Sequence, residues 1–308
     1  MAADRYSARQ SHDAATSEPA RVKAMTSPAE YILTLSCPDR PGVVAAVSGL
    51  LAGHGCNIIE SQQFGDRVGQ RFFMRVQFAA PLGEDELNAA FAALAPDFAM
   101  EFKLRDVARK PRVLIMVSRF DHCLNDLLYR VRSKALDIEI VAVVSNHPDL
   151  RPLTQSNGID YHHLPVTPET KPKQEAEVLA LVDHYQVDLV VLARYMQVLS
   201  EDLCAKLAGR AINIHHSFLP SFKGAKPYHQ AHSRGVKLIG ATAHYVTADL
   251  DEGPIIEQEV ARVNHSHSPE DLVAMGRDVE CVALARAVRW HAEQRVLLDG
   301  HKTIIFPR

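Results

Sequence analysis

The stretch VDLVVLARYMQVLSEDLCAKLAGRAINIHHS, residues 187–217, decides the fold class. Its first six residues are apolar almost throughout, which predicts a strand buried on both faces of a parallel sheet. Ser200 can cap a helix over Glu201–Leu207, because its hydroxyl can accept from a free backbone N–H group of the first turn. A second strand is predicted at Ala211–His215. A strand, a helix and a strand in succession predict an α/β fold with a mostly parallel sheet.

The same alternation extends on both sides of this stretch. Val113–Val117 and Ile138–Val144 are predicted strands, and apolar residues at helical spacing predict the helices that follow them. The run SPED at 268–271 predicts the start of a long last helix, because proline suits the first helical position. We therefore expect residues 112–308 to form one Rossmann-like domain.

A different pattern precedes this domain. Residues 30–105 contain apolar segments in the order βαββαβ, which is typical of a ferredoxin-like domain. Its last strand is predicted over residues 98–104, where apolar and polar residues alternate. The polar segment RDVARKP at 105–111 predicts a linker. Residues 1–29 have no hydrophobic period and predict a disordered tail, in which Met25 is an alternative start.

The composition is that of a globular protein. Of the 308 residues, 47% are hydrophobic and 23% are charged, and the length predicts about two domains. The net charge of −3 argues against nucleic-acid binding as the main function. No apolar run is long enough to span a membrane, and the N-terminus lacks the apolar core of a secretory signal. The five cysteines form no CxxC pair, which is typical of reduced cytosolic thiols. We expect a cytoplasmic protein without a bound metal.

The densest polar cluster lies at the end of the predicted strand Ala211–His215. Because side chains alternate along a strand, Asn213 and His215 point to the same side. An amide beside an imidazole suits attack on a carbonyl, since the amide can stabilise an oxyanion and the imidazole can move a proton. A structural histidine beside an asparagine that makes turn hydrogen bonds fits the same pattern, so both interpretations stay open.

A second polar cluster is the run DLDEGP at 249–254, a predicted loop between Val246 and Ile255. Three acidic residues in four positions are typical of a solvated turn. An acid from this run near His215 could instead orient the ring or activate a water. The HxH pattern at 265–267 lacks a convincing carboxylate partner downstream, so we expect it on the surface and not at a metal site.

Together these clusters resemble the signature of the folate-dependent formyltransferase superfamily. The resemblance rests on NIHHSFLPSF at 213–222 and LDEGPII at 250–256, which occur in the right order and spacing. It spans residues 112 to about 304. The segments KGAKPYHQ at 223–230 and IGATAHY at 239–245 are most similar to the deformylase branch.

The N-terminal region has a resemblance of its own. Residues 31–104 resemble an ACT domain, whose usual opening matches DRPG at 39–42 and GCNI at 55–58. An ACT domain before a formyltransferase domain is the arrangement of the deformylase branch. The resemblance implies a homo-oligomer, a dimer or tetramer, and an amino-acid effector bound between paired ACT domains. A role in subunit assembly alone stays open. The implied effector residues are Asp39, Gly42 and Asn57.

The resemblance also implies the roles of the site residues. Asn213, His215 and Asp251 match the catalytic Asn, His and Asp of the superfamily. The folate would be held mainly by backbone groups of two segments. The implied folate-binding residues are Met196, Gln197, Leu199, Thr247 and Ala248.

The activity implied is hydrolysis of 10-formyltetrahydrofolate to formate and tetrahydrofolate, which would supply formate for purine synthesis and balance one-carbon pools. Folate is then the substrate, and no cofactor is expected. Relatives that formylate glycinamide ribonucleotide carry a Gly/Ser-rich phosphate loop after the first strand, whereas the turn at Ser118–His122 has no glycine. The alternatives are a formyltransferase with an amine acceptor and a non-enzymatic, amino-acid-sensing folate-binding protein.

Overall fold

The computed structural model describes residues 28–219 and 227–307. Two segments and residue 308 lie outside the described residues. The first segment is residues 1–27, which include most of the predicted tail and Met25, and the second is residues 220–226, which belong to the motifs at 213–222 and 223–230. No helix in the described ranges is both long and apolar enough to cross a membrane. The N-terminal elements are β1 (Ala29–Pro38), α1 (Val43–Gly53), β2 (Asn57–Asp66), β3 (Arg71–Ala80), α2 (Glu84–Phe98) and β4 (Glu101–Asp106).

These elements confirm the predicted βαββαβ order. Their strands form an antiparallel sheet in the order β2-β3-β1-β4. One face of the sheet packs against α1 and α2, because alternate apolar residues such as Leu33 and Leu35 of β1 point toward Val47 and Phe91 of the helices.

The last strand of this region starts later than the sequence predicts. Phe98 is the final residue of α2, with Pro96 inside that helix, and β4 begins at Glu101. Phe98 packs against the same core as Phe102 of β4. Phe98 therefore continues the alternating apolar pattern of the strand in the sequence, although its backbone is helical.

The second region contains alternating strands and helices. Ser200 caps the helix Glu201–Lys206 as predicted, since its hydroxyl accepts the N–H of Leu203 at 3.2 Å. The last helix begins at Pro269 as predicted, and the Ser268 side chain caps it by accepting the N–H of Asp271. The elements of this second region are β5 (Arg112–Val117), α3 (His122–Arg132), β6 (Glu139–Ser145), α4 (Arg151–Ser156), β7 (Asp160–His163), α5 (Lys171–His184), β8 (Leu189–Leu192), α6 (Glu201–Lys206), β9 (Ala211–His215), α7 (Pro227–Ser233), β10 (Leu238–Tyr245), β11 (Ile255–Arg262), α8 (Pro269–Ala292), β12 (Val296–Asp299) and β13 (Lys302–Ile305).

The large sheet confirms the α/β prediction. Its order is β11-β10-β9-β8-β5-β6-β7. The strands from β9 to β7 are parallel, and β10 pairs antiparallel with both of its neighbours, β9 and β11. Two apolar clusters cover its two faces, one with α3 and α8 and the other with α5 and α6. The strand order reverses at β5, which lies between β8 and β6. Ligands of doubly wound sheets bind at such a reversal, beyond the carboxyl ends of the strands.

A buried ion-pair network joins the two regions. Arg75 of β3 is 1% exposed and lies 2.7 Å from a carboxylate oxygen of Glu60. Arg295, which follows α8 and is 2% exposed, lies 3.1 Å from the same oxygen. Burial tends to raise the pKa of Glu60, but Arg295 and Arg75 outweigh it and hold that pKa below its usual value. Glu60 thus compensates two desolvated guanidinium groups.

We expect Glu60→Gln to lower the free energy of unfolding by about 2 kcal/mol, because it leaves two buried cations with one anion fewer. This is below the full penalty for a buried pair, since the Glu60 side chain is 31% exposed. Urea unfolding at pH 7 measures the loss. Asp202→Asn is the matched control, because it removes an exposed pair with Lys206 and costs under about 0.5 kcal/mol. Equal losses in the two variants would show that the network does not stabilise the domain contact.

Candidate active site

A cavity of about 240 Å³ lies next to the reversal point of the sheet. One side is the β8 loop, residues 193–199, and the other is the acidic loop, residues 246–254, which connects β10 to β11. The end of β9 forms the floor. All the predicted catalytic and folate-binding residues line this cavity: Asn213, His215, Asp251, Met196, Gln197, Leu199, Thr247 and Ala248.

His215 and Asp251 form a hydrogen-bonded pair at the floor. Nδ1 of His215 lies 3.1 Å from Oδ1 of Asp251, and His215 is 5% exposed. Because the carboxylate accepts, Nδ1 carries the hydrogen and Nε2 is left to exchange a proton with a reactant. Nε2 has no hydrogen-bond partner among residues 28–219 and 227–307. Burial tends to raise the pKa of Asp251, but the hydrogen bond and charge of His215 outweigh it, so Asp251 stays ionised.

The fold of the acidic loop brings Asp251 to His215. Asp251 has a left-handed backbone with φ of 58°, a conformation that aspartate tolerates better than most residues. The N–H of Tyr245 donates to the carbonyl of Pro254 at 2.9 Å, which closes the loop. A side chain at Gly253 would place its Cβ 1.7 Å from the carbonyl oxygen of Tyr245. Only glycine therefore permits this close return of the chain.

His244 positions the amide of Asn213. Burial lowers the pKa of His244, so the ring is neutral. Its Nδ1–H donates to the backbone carbonyl of Tyr245 at 2.9 Å, which leaves Nε2 as an acceptor. The Nδ2 of Asn213 donates to that nitrogen at 3.2 Å. The amide is thereby oriented with one N–H on His244, and its second N–H is available for a ligand.

The β8 loop is held from below by the end of β5. Ser118 accepts the N–H of Met196 at 2.9 Å and donates to Oδ1 of Asn146 at 2.8 Å. At the cavity mouth, Met196, Val198 and Leu250 are each at least half exposed. Exposed apolar side chains around a concave polar floor suit a flat aromatic ligand.

Two family models match the two regions of the chain. The sequence model of the Formyl transferase family matches residues 111–288, and that of the ACT domain matches residues 31–86. A formyltetrahydrofolate deformylase of Corynebacterium sp. (strain P-1) is 54% identical over 284 residues, which cover 91% of this chain and 99% of that protein.

The chain belongs to the formyltetrahydrofolate deformylase family.

Solved structures agree with this membership. The formyltetrahydrofolate deformylase of Burkholderia mallei is 56% identical and superposes with a TM-score of 0.88, covering 91% of this chain and all of that one. Glycinamide ribonucleotide transformylase 1 of Symbiobacterium toebii is 30% identical with a TM-score of 0.61 and covers 67% of this chain and 98% of its own. The deformylase family therefore shares its formyltransferase fold with glycinamide ribonucleotide transformylases.

A second buried cluster beside the cavity was not predicted from the sequence. Glu280 of α8 is 1% exposed and accepts from the Tyr228 hydroxyl at 2.8 Å. His122 of α3 bonds the other carboxylate oxygen at 2.7 Å, and Arg194 lies 3.4 Å from that oxygen. Burial tends to raise the pKa of Glu280, but His122 and Arg194 outweigh it, so the group is ionised. The available signal was an acid, Glu280, between Val279 and Cys281 at a position where the helical period predicts a buried side chain.

Three donor atoms of this cluster come close enough to meet at a metal ion. Those of His122, Cys123 and Glu280 lie within 4.8 Å of one another. The Arg194 guanidinium already lies beside the Glu280 carboxylate, and its positive charge opposes a cation there. The arrangement is therefore that of an ion-pair cluster, as in many buried charged groups.

The predicted effector residues of the ACT domain do not meet within one chain. Gly42 has φ of 98° and begins α1, and Asp39 lies beside Gly65 near the carboxyl end of β2. Asn57 is the first residue of β2, roughly 25 Å away along the strand. A site that uses both ends of β2 needs a second copy of the chain.

Proposed function

We propose that the protein hydrolyses 10-formyltetrahydrofolate to formate and tetrahydrofolate. The observation that carries this proposal is the meeting of the Asn213 amide with the His215–Asp251 pair in one cavity. Family membership supports the substrate, since the curated relatives are named formyltetrahydrofolate deformylase.

The chemistry follows from the orientation of these groups. Nε2 of His215 takes a proton from the attacking water as its oxygen bonds to the formyl carbon. The free N–H of Asn213 donates to the oxyanion that develops on the formyl oxygen. The Asp251 carboxylate stabilises the imidazolium, which then protonates the departing nitrogen of the folate. The C–N bond breaks, and formic acid leaves as formate and a proton.

The two loops provide the folate site. We place the pterin between the β8 loop and the acidic loop, against Met196, Gln197 and Leu199 on one side and Thr247 and Ala248 on the other. Recognition by backbone groups suits these loops, because a pterin edge presents alternating donors and acceptors that match peptide groups.

The acceptor distinguishes this proposal from its rival, a formyltransferase. The resemblance to a glycinamide ribonucleotide transformylase makes transfer to that amine the alternative. Against it, the turn after β5 has no glycine, and His122 in that turn is bonded to Glu280. A backbone cradle for phosphate needs close approach of peptide groups, which glycine favours.

We expect formate to appear at the same rate with and without glycinamide ribonucleotide when the purified protein is given 10-formyltetrahydrofolate. The measurement follows a labelled formyl group by chromatography into free formate or formylated ribonucleotide. Water is the sole acceptor in the reaction without the ribonucleotide, so formate release there establishes hydrolysis. Label in the ribonucleotide with little free formate would support the transferase instead. Absence of both products, with folate still bound, would favour the non-enzymatic alternative.

The cellular setting extends the same proposal. The formate released would serve purine synthesis and balance one-carbon pools in the cytoplasm. We propose regions 30–105 and 112–308 as the regulatory and catalytic units. The ACT sheet would pair with a second copy through β2, which lies at a sheet edge and exposes Ile59 and Phe64. Pairing would bring Asp39 and Gly42 of one protomer toward Asn57 of another to receive an amino acid.

A further inference from the structure

Arg194 is a buried cation, and two of its three guanidinium nitrogens make no hydrogen bond to the described residues. It lines the cavity and is 9% exposed. Neither Nε nor Nη1 has a hydrogen-bond partner within the described part of the chain. A buried N–H without an acceptor costs about 1–3 kcal/mol, so native proteins rarely leave two on one side chain. Such a group at the wall of a cavity points to a ligand that supplies the acceptors.

The surroundings hold the guanidinium in place without using those donors. Nε is 3.4 Å from a Glu280 oxygen, an ion-pair distance, and that carboxylate already bonds His122 and Tyr228. The ring of Phe120 lies 5.1 Å from Cζ of Arg194, which is a cation–π distance. The guanidinium is therefore fixed between an acid and an aromatic ring, and its orientation is set before any ligand binds.

The corner also lies next to the reacting groups. The rings of His215 and His216 are 5.2 Å apart, and both residues line the cavity with Arg194. Burial, and then the charge of Arg194, lower the pKa of His216 to about 4. His216 is thus neutral near pH 7, whereas Arg194 carries a positive charge that Glu280 partly offsets.

We propose that Arg194 forms a subsite for a small carboxylate beside His215, and that this subsite receives the formate produced in the reaction. Formate is planar and monoanionic, with two acceptor oxygens that match guanidinium N–H donors. The identity of the natural ligand rests on the proposed function, whereas binding of a carboxylate at Arg194 does not.

The test is a calorimetric titration of the full-length protein with sodium formate at constant ionic strength. Sodium chloride is the anion control. We expect saturable formate binding that Arg194→Gln weakens about tenfold or more, because the charge and the donors are lost. Arg277→Gln is the matched control, since Arg277 also lies over Phe120, at 5.9 Å, but is exposed. It should leave formate affinity unchanged.

Two further measurements keep the proposal falsifiable if Arg194→Gln folds poorly. Arg194→Lys keeps the charge beside Glu280 but loses the planar donors, so we expect formate binding to weaken several-fold while tetrahydrofolate binding is kept. Absence of saturable formate binding by the wild-type protein, or equal affinity in the wild type and Arg194→Lys, would overturn the subsite. Because no turnover is involved, loss of the proposed hydrolysis would be detected separately, by the formate-release assay.

Discussion

Asp251→Asn should lower the turnover number roughly 10²- to 10⁴-fold while tetrahydrofolate binding stays unchanged. The reason is the contact between the Asp251 carboxylate and Nδ1 of His215 at 3.1 Å. An asparagine cannot stabilise the imidazolium by charge, and its amide nitrogen can oppose the Nδ1–H donor. Initial rates of formate release give the turnover number, and calorimetry gives the affinity for tetrahydrofolate.

The matched control is Glu252→Gln, because Glu252 lies in the same acidic loop, is exposed and is not among the residues that line the cavity. It changes the net charge by the same amount but should leave turnover within about twofold, since surface charges are largely screened. Near wild-type turnover of the Asp251 variant would remove this residue from the mechanism. An equal fall in both variants would assign the effect to loop charge and not to His215.

Asn213→Ala should lower the turnover number about 10²- to 10³-fold, the range for loss of one oxyanion donor. Its amide is held by His244 at 3.2 Å, so the wild-type donor needs no reorganisation during the reaction. Substrate affinity should change little, because the hydrogen bond strengthens only as charge develops on the formyl oxygen. Steady-state kinetics of formate release separates the two effects as kcat and KM.

Asn125→Ala is the control for this change, since Asn125 is exposed on α3 and an amide is again replaced by a methyl group. Thermal unfolding of both variants checks that the fold is intact. A rise in KM without a fall in kcat would make Asn213 a residue for substrate binding alone. Unchanged kinetics would mean that another group stabilises the oxyanion.

Local sequence was sufficient for much of the site. Strand alternation alone placed Asn213 and His215 on one side of β9, and both line the cavity. The quoted acidic run contains Asp251, but whether it was a solvated turn stayed open in the sequence. The 3.1 Å contact between Asp251 and His215 decided the matter, because it joins the acidic loop to the end of β9.

Four short elements were not predicted from the sequence. The α4 helix and the β7, β12 and β13 strands have four to six residues each, too few to show a hydrophobic period. The sequence pattern assigns Phe98 to a strand, because an apolar residue that faces a core occurs at this spacing in a helix as well as in a strand. Tertiary packing, not local alternation, determined that it belongs to α2.

By itself, the sequence determined the α/β class, the βαββαβ region before it and the residues at the end of β9, because these depend on periodicity along one segment of chain. Only the tertiary structure decided that Arg194, His122, Tyr228 and Glu280 meet beside that strand end. They come from the β8 loop, α3, α7 and α8, which no local pattern relates. Their meeting depends on the packing of helices on the sheet, since a buried carboxylate is stable only where donors from several elements compensate its charge.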